Sequence, residues 1–336
     1  MKQLEFVRRG KLEWKEVAEP KIQGPLEAIV KPTVMGRCDL DYYILLGITP
    51  FQPPFVPGHE FAGEIVEVGE GVKNLHKGQK VIVPFHISCG HCGKCEKEIY
   101  SFCETVTYPS SFGLGSHAGN FGGGLSDLVR VPFAESMLYP VPEGVDLLDV
   151  FAAADNLSDG WRAVGPYLEE NPQQDVLILS NSCLGLYAAM IAKAMGAEKV
   201  DYIDTNRQRL EIAESLGVTA IESEYKESFG KYMLTVDASA SEKGIRSALR
   251  STEPGGTCTS TGIYFSNEIK FPLWDMYNND ITFKTGVAHS GKYIPKVMDL
   301  LQTKKIEPQK VITKKVPWED AKEGYKEKTT KLVVIR

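Results

Sequence analysis

No apolar run in this chain approaches the roughly 18 residues that a membrane-spanning helix needs, so a helical membrane anchor is excluded. The first ten residues carry charges throughout and lack the apolar stretch of a secretion signal. The chain is therefore expected to be cytoplasmic. It has no basic run interleaved with aromatics. Its 38 Lys and Arg against 44 Asp and Glu leave a net charge of −6, which argues against a nucleic-acid partner held by electrostatics. Internal repeats and low-complexity tracts are absent too. Cysteine is sparse, at seven residues. In a reducing compartment, clustered cysteines more often bind metal or do chemistry than form disulfides.

What is present is the composition of an ordinary globular protein. Apolar residues make up 43% and charged residues 24% of 336 residues, a length that suits two domains. The first 150 residues are rich in Gly and Pro, with short β-branched runs at 27–31, 64–68, 79–83 and 128–131, as in an irregular β domain. Near residue 156 the pattern changes. Candidate strands at 176–179, 200–203, 234–236 and 257–262 alternate with candidate helices at 184–195 and 207–216. Such alternation predicts a parallel sheet with right-handed crossovers. The fold class expected is α/β, with domains at 1–155 and 156–286. The tail 287–336, holding a helix near 294–303 and a strand at 332–335, is expected to return to the first domain.

Cys89, Cys92, Cys95 and Cys103 form the run C-x2-C-x2-C-x7-C. Two-residue gaps let successive thiolates turn onto one ion, and four complete the closed tetrahedral shell of a structural zinc site. A disulfide cluster and an iron–sulfur centre are the alternatives. A second constellation is Gly58-His59-Glu60 with Cys38 and Asp41 upstream. An imidazole, a thiolate and a carboxylate can bind zinc and leave a place for substrate, and Asp41 could receive the other ring N–H of His59.

Val176–Leu179 reads as a strand buried on both faces, followed by Ser180-Asn181-Ser182-Cys183-Leu184-Gly185 and a small-residue helix. This is where a dinucleotide turn, G-x-G-x-x-G, would fall. Ser180 and Ser182 stand in the place of its first two glycines, with hydroxyls able to bond phosphate oxygens, and Gly185 is the third. Asp204 ends the next predicted strand, where a carboxylate accepts the adenosine ribose hydroxyls and repels a 2′-phosphate.

Together these pieces resemble the zinc-containing medium-chain dehydrogenase/reductase family, the alcohol dehydrogenases, over nearly the whole chain. The resemblance implies a GroES-like β-rich catalytic domain, a Rossmann-type doubly wound domain and a cleft between them. It implies a catalytic zinc at Cys38 and His59, with Glu60 as a neighbouring carboxylate that binds zinc in some resting states and Asp155 as a further ligand where many members have Cys. It places Phe85 and Ile263 at the substrate, and Leu184 in the cofactor turn. Arg209 is implied beside the adenosine ribose and Lys331 beside the pyrophosphate. Two zinc ions, NAD, a small alcohol, aldehyde or ketone substrate, and a homodimer or homotetramer follow from the same likeness.

Members of the family usually carry a hydroxyl and a histidine after the ligand cysteine as a proton relay. Here Leu40 and Tyr43 stand at those positions, which leaves Asp39, Tyr43, ribose hydroxyls or water as the proton path. The activity expected is hydride transfer between NAD(H) and an alcohol or carbonyl. Asp155 also suggests a formaldehyde or aldehyde dehydrogenase, and Asp159 a polyol dehydrogenase. A non-catalytic zinc and nucleotide-binding protein is the alternative of another class.

Overall fold

The computed structural model describes residues 1–266 and 268–336. Two compact units emerge. One comprises Met1–Ser158, His289–Met298 and Ile312–Arg336; the other comprises Asp159–Ala288 and Asp299–Val311.

The first unit is built on a seven-stranded sheet. Its central strand, Ala28–Arg37, pairs antiparallel with Glu60–Val68 on one side and with Leu332–Ile335 on the other. The last strand of the chain thus closes the first unit. Val129–Val131 also pairs with Ala28–Val30. The core contains Phe6, Val30, Phe61, Val81, Phe112 and Val334, all at most 1% exposed. The hairpin Lys2–Arg8 with Lys11–Glu16 escapes sequence reading because charged residues dominate it.

The second unit holds six parallel strands. Their order is Thr219–Glu222, Val200–Asp204, Val176–Ser180, Tyr232–Ala238, Thr252–Ser260 and Thr282–Lys284. Numbered along the chain within this sheet, that is 3-2-1-4-5-6, the doubly wound order of dinucleotide-binding folds. The helices Cys183–Ala194, Arg207–Ser215 and Glu242–Ser251 follow its first, second and fourth strands. Residues 299–311 depart from the expected return of the whole tail to the first unit. Pro308 and Val311 are buried, and their turn packs against the first two of these helices.

Candidate active site

The first metal candidate begins at a helix start. The helix Asp39–Leu45 has Cys38 as its N-cap, and the Asp41 carboxylate accepts the Cys38 backbone N–H at 3.1 Å. Asp41 has no exposed surface, and its other oxygen lies 3.4 Å from His59 Nδ1, within ion-pair reach but outside hydrogen-bond geometry. His59 follows Gly58, whose φ of +98° only glycine adopts without strain; a Cβ there would press on the Leu125 amide. His59 thereby faces the strand end with Nε2 toward Asp155 Oδ2, at 3.4 Å. Cys38, His59 and Asp155 each offer a ligand atom, and these atoms lie within 4.8 Å of one another.

Asn156, which sequence reading missed, ties this group together. Its side-chain amide donates to Cys38 Sγ at 3.2 Å and to Asp155 Oδ2 at 2.6 Å. Its carbonyl oxygen accepts from Lys331 Nζ at 2.8 Å, and its backbone N–H donates to Glu60 Oε1 at 3.2 Å. Only its place beside Asp155 could have pointed to it, because an asparagine amide carries no metal-ligand signal.

The electrostatics suit a cation. Burial and the Asp155 charge push the Cys38 thiol up to about 12. Burial would lower His59, but Asp41, Asp155 and Cys38 hold it well above the usual histidine range. Burial would raise Asp155, yet His59 and Lys331 keep it below the usual carboxylate range. A thiolate, an imidazole and a carboxylate converging in a buried site fit a zinc ion with an open position. Glu60 stands beside the group, with Oε1 accepting the Asn156 N–H and Oε2 the Lys331 ammonium. Lys331, expected beside the pyrophosphate, lies next to Glu60. It has no exposed surface, and its ammonium is engaged by Glu60 and Asn156. Tyr43 is not brought into the group. It lies two residues past Asp41, about 200° around the helix, is 42% exposed and packs edgewise on Tyr42. Asp159 has an oxygen engaged by Arg162, which weakens its reading as a binder of polyol hydroxyls.

In the four-cysteine lobe, Cys89 and Cys95 sulfurs are 4.0 Å apart, and Cys92 and Cys103 are 3.9 Å apart. Tetrahedral Zn–S bonds would place sulfurs about 3.8 Å apart, so the lobe is already shaped for the ion. The loop aims further donors at sulfur. Thr105 Oγ1 lies 3.1 Å from Cys89 Sγ, and the Glu104 amide 3.3 Å from Cys92 Sγ. Burial would raise Cys92, but the amides of Glu104 and Cys95 bring it down to about 6, which favours the thiolate.

Beside Phe85, whose ring stands edgewise to His59 at 6.2 Å, lies a second residue that sequence reading missed. His86 is 1% exposed, stacks on Tyr100, and among the described residues neither ring nitrogen has a hydrogen-bond partner. Burial, then the nearby His289, lowers it to about 3.

The dinucleotide turn follows the first strand of the parallel sheet, as expected. Ser180 Oγ donates to Ser182 O and accepts the Ser182 N–H, and Ser182 Oγ donates to Ala238 O. A hydroxyl has one proton; here that of Ser180 goes to the turn's own Ser182 carbonyl and that of Ser182 to Ala238 at the end of the fourth strand. Gly185 permits this closure, since a Cβ there would collide with Ser180 Oγ. Ser182 is the N-cap of the helix Cys183–Ala194, whose N-terminal end carries the partial positive charge of the helix dipole. Asp204 ends its strand at 1% exposure. It accepts from the Thr205 and Asn206 amides and from both Nε and a terminal nitrogen of Arg209, at 2.6 and 2.8 Å. Ile263 is 54% exposed on the loop after the fifth strand.

Residues 24–143 match the alcohol dehydrogenase GroES-like domain family, and residues 183–303 the zinc-binding dehydrogenase family. An uncharacterized zinc-type alcohol dehydrogenase-like protein of Bacillus subtilis is 29% identical, covering 93% of this chain and 92% of the relative. Zinc-type alcohol dehydrogenase B of Aspergillus flavus is 30% identical, over 91% of this chain and 73% of the relative. Among solved structures, the alcohol dehydrogenase TADH from Thermus sp. ATN1 superposes with a TM-score of 0.92 at 30% identity, covering 100% of this chain and 99% of that one.

Proposed function

This chain belongs to the zinc-containing medium-chain dehydrogenase/reductase family, and on that premise we propose that it is an NAD-dependent alcohol dehydrogenase with two zinc ions per chain. The observation that carries the reading is the convergence of Cys38, His59 and Asp155 within 4.8 Å. Zinc in that set supplies Lewis acidity to an alcohol or carbonyl oxygen, and the nicotinamide supplies the hydride acceptor or donor. The chain's own residues do the rest. Asp41 holds the His59 ring from its Nδ1 side, and Asn156 orients Cys38 and Asp155. Cys89, Cys92, Cys95 and Cys103 would hold the second ion in a closed shell. Among the described residues no helix is long and apolar enough to cross a membrane. We place the enzyme in the cytoplasm, as a homodimer or homotetramer. The test is turnover: purified protein with zinc should reduce NAD in the presence of some member of a panel of primary and secondary alcohols. No NAD reduction with any of them would remove the proposal.

The cofactor preference rests on Asp204. NAD should be favoured over NADP by at least about tenfold, roughly 1.4 kcal/mol. Arg209 already offsets part of the Asp204 charge, so the gap should be far from absolute. Asp204→Ala frees Arg209 for a 2′-phosphate and should narrow it. Equal kcat/KM for the two cofactors in the wild type would rule out this role for Asp204.

Tyr43 lies outside the group but is exposed on the helix that carries Asp41, and we propose it as an exit that the alcohol proton reaches through water. Tyr43→Phe should lower alcohol oxidation by about tenfold. That is less than the 100-fold or more of an enclosed general base, because water reaches an exposed phenol and can substitute. Full turnover with an unshifted pH profile would exclude Tyr43 from the route.

A further inference from the structure

The second unit contains a buried carboxylate that neither zinc chemistry nor ribose binding uses. Asp237, near the end of the fourth strand, has no exposed surface. Its Oδ1 accepts the Ser239 amide at 3.2 Å and the Ser239 hydroxyl at 2.6 Å. Its Oδ2 accepts the Ser260 hydroxyl at 2.7 Å and the Tyr264 hydroxyl at 2.6 Å. All four donors are neutral, and burial still raises the carboxyl above its usual range. A buried anion is costly, and here three side-chain hydroxyls and an amide gather to hold it.

The bonds lead in two directions. Toward the dinucleotide turn, Ala238 O accepts from Asn181 N at 3.4 Å and Ser182 Oγ at 3.2 Å, and Ser239 O accepts from Asn181 Nδ2 at 2.6 Å. Toward the loop after the fifth strand, Asp237 O accepts the Thr261 amide at 3.0 Å, and the side chain takes Ser260 and Tyr264. That loop presents Ile263 and Phe265, each more than half exposed.

In a doubly wound sheet the dinucleotide lies across the strand ends, one mononucleotide on each side of the switch point. Asp204, on the second strand, marks the adenosine side. Asp237 and Ser260, on the fourth and fifth strands, therefore lie under the other half. We propose that Asp237 is a positioning residue for that half: through Ser260 and Tyr264 it holds loop 261–264 as the nicotinamide-side wall of the groove and ties it to the phosphate turn. The proposal rests on the NAD reading above.

The test compares NADH with ADP-ribose, which lacks the nicotinamide, by calorimetry on wild type, Asp237→Asn and Tyr264→Phe, with thermal melts alongside. Asp237→Asn should weaken NADH by about tenfold, the scale of one lost charged hydrogen bond. Tyr264→Phe should weaken it several-fold. ADP-ribose should bind both variants as it binds the wild type. A purely structural role would shift the melting temperature and both ligands together, or neither ligand, and either result overturns the proposal. Should Asp237→Asn fail to fold, Tyr264→Phe and Ser260→Ala decide it on the same criterion. A wild type that binds neither NADH nor ADP-ribose would overturn the dinucleotide reading itself, and this proposal with it.

Discussion

Lys331→Met should destabilise the protein by about 3–5 kcal/mol, the usual cost of stripping one partner from a buried ion pair. Lys331 and Glu60 both have fully buried side chains, and the ammonium binds Glu60 and Asn156. Methionine fills the space of the lysine stem, so the loss reports charge rather than volume. For a unit of this size it should lower the melting temperature by about 10 °C. The loss should depend on pH in a definite direction. Burial already raises Glu60 to about 7 against the pull of Lys331, and removing the lysine raises it further. A carboxyl whose folded pKa lies above its unfolded value is best tolerated while protonated. The variant should therefore lose more stability at pH 8 than at pH 6. Lys331→Met with Glu60→Gln should recover much of the loss. A single variant as stable as the wild type at pH 8, or one that gains stability with rising pH, would show that the pair does not behave as a buried ion pair.

His86→Phe should flatten the acid side of the stability profile. In the folded protein His86 is lowered from an ordinary 6.5 to about 3, by burial and then by His289. A depressed histidine favours the folded state above its unfolded pKa, and that advantage disappears as pH falls toward the folded pKa. From pH 6.5 downward, each unit should cost the wild type up to about 1.4 kcal/mol from this residue alone. Phenylalanine keeps the stack on Tyr100 and removes the titration. Denaturant unfolding at pH 7, 6 and 5 should show a shallower decline in the variant. Parallel declines would show that His86 is protonated, or solvated, in the native state.

Both residues show where sequence reading stops. The four-cysteine cluster was legible because its fixed gaps carry metal-ligand spacing, and the doubly wound sheet because its strands and helices alternate cleanly. Cys38 and His59 stood out from their residue types as a candidate zinc pair, whereas Asp155, far along the chain, was reached only through the known pattern of related enzymes. Asn156, His86 and Asp237 carry no motif. Each matters through what surrounds it: partners on four other residues for Asn156, an absence of ring-nitrogen partners among the described residues for His86, and neutral donors around a buried charge for Asp237. The serines of the dinucleotide turn mark a different limit. Their place was readable, but Ser180 bonds the Ser182 carbonyl and Ser182 the Ala238 carbonyl of the fourth strand, and no spacing rule shows which way a hydroxyl points.

The central claim is that an open zinc site at Cys38, His59 and Asp155 supports hydride transfer while a closed site at the four cysteines supports the fold. The most direct measurement follows zinc content and NAD-dependent alcohol oxidation together during brief treatment with a chelator, then on adding zinc back. The account predicts about two zinc ions per chain at the start. One, in the open site, should leave quickly with most of the activity, the melting temperature of the closed lobe should hold, and one equivalent of zinc should restore turnover. Freshly purified protein with at most one zinc per chain, or full turnover after the fast-exchanging ion has gone, would contradict it.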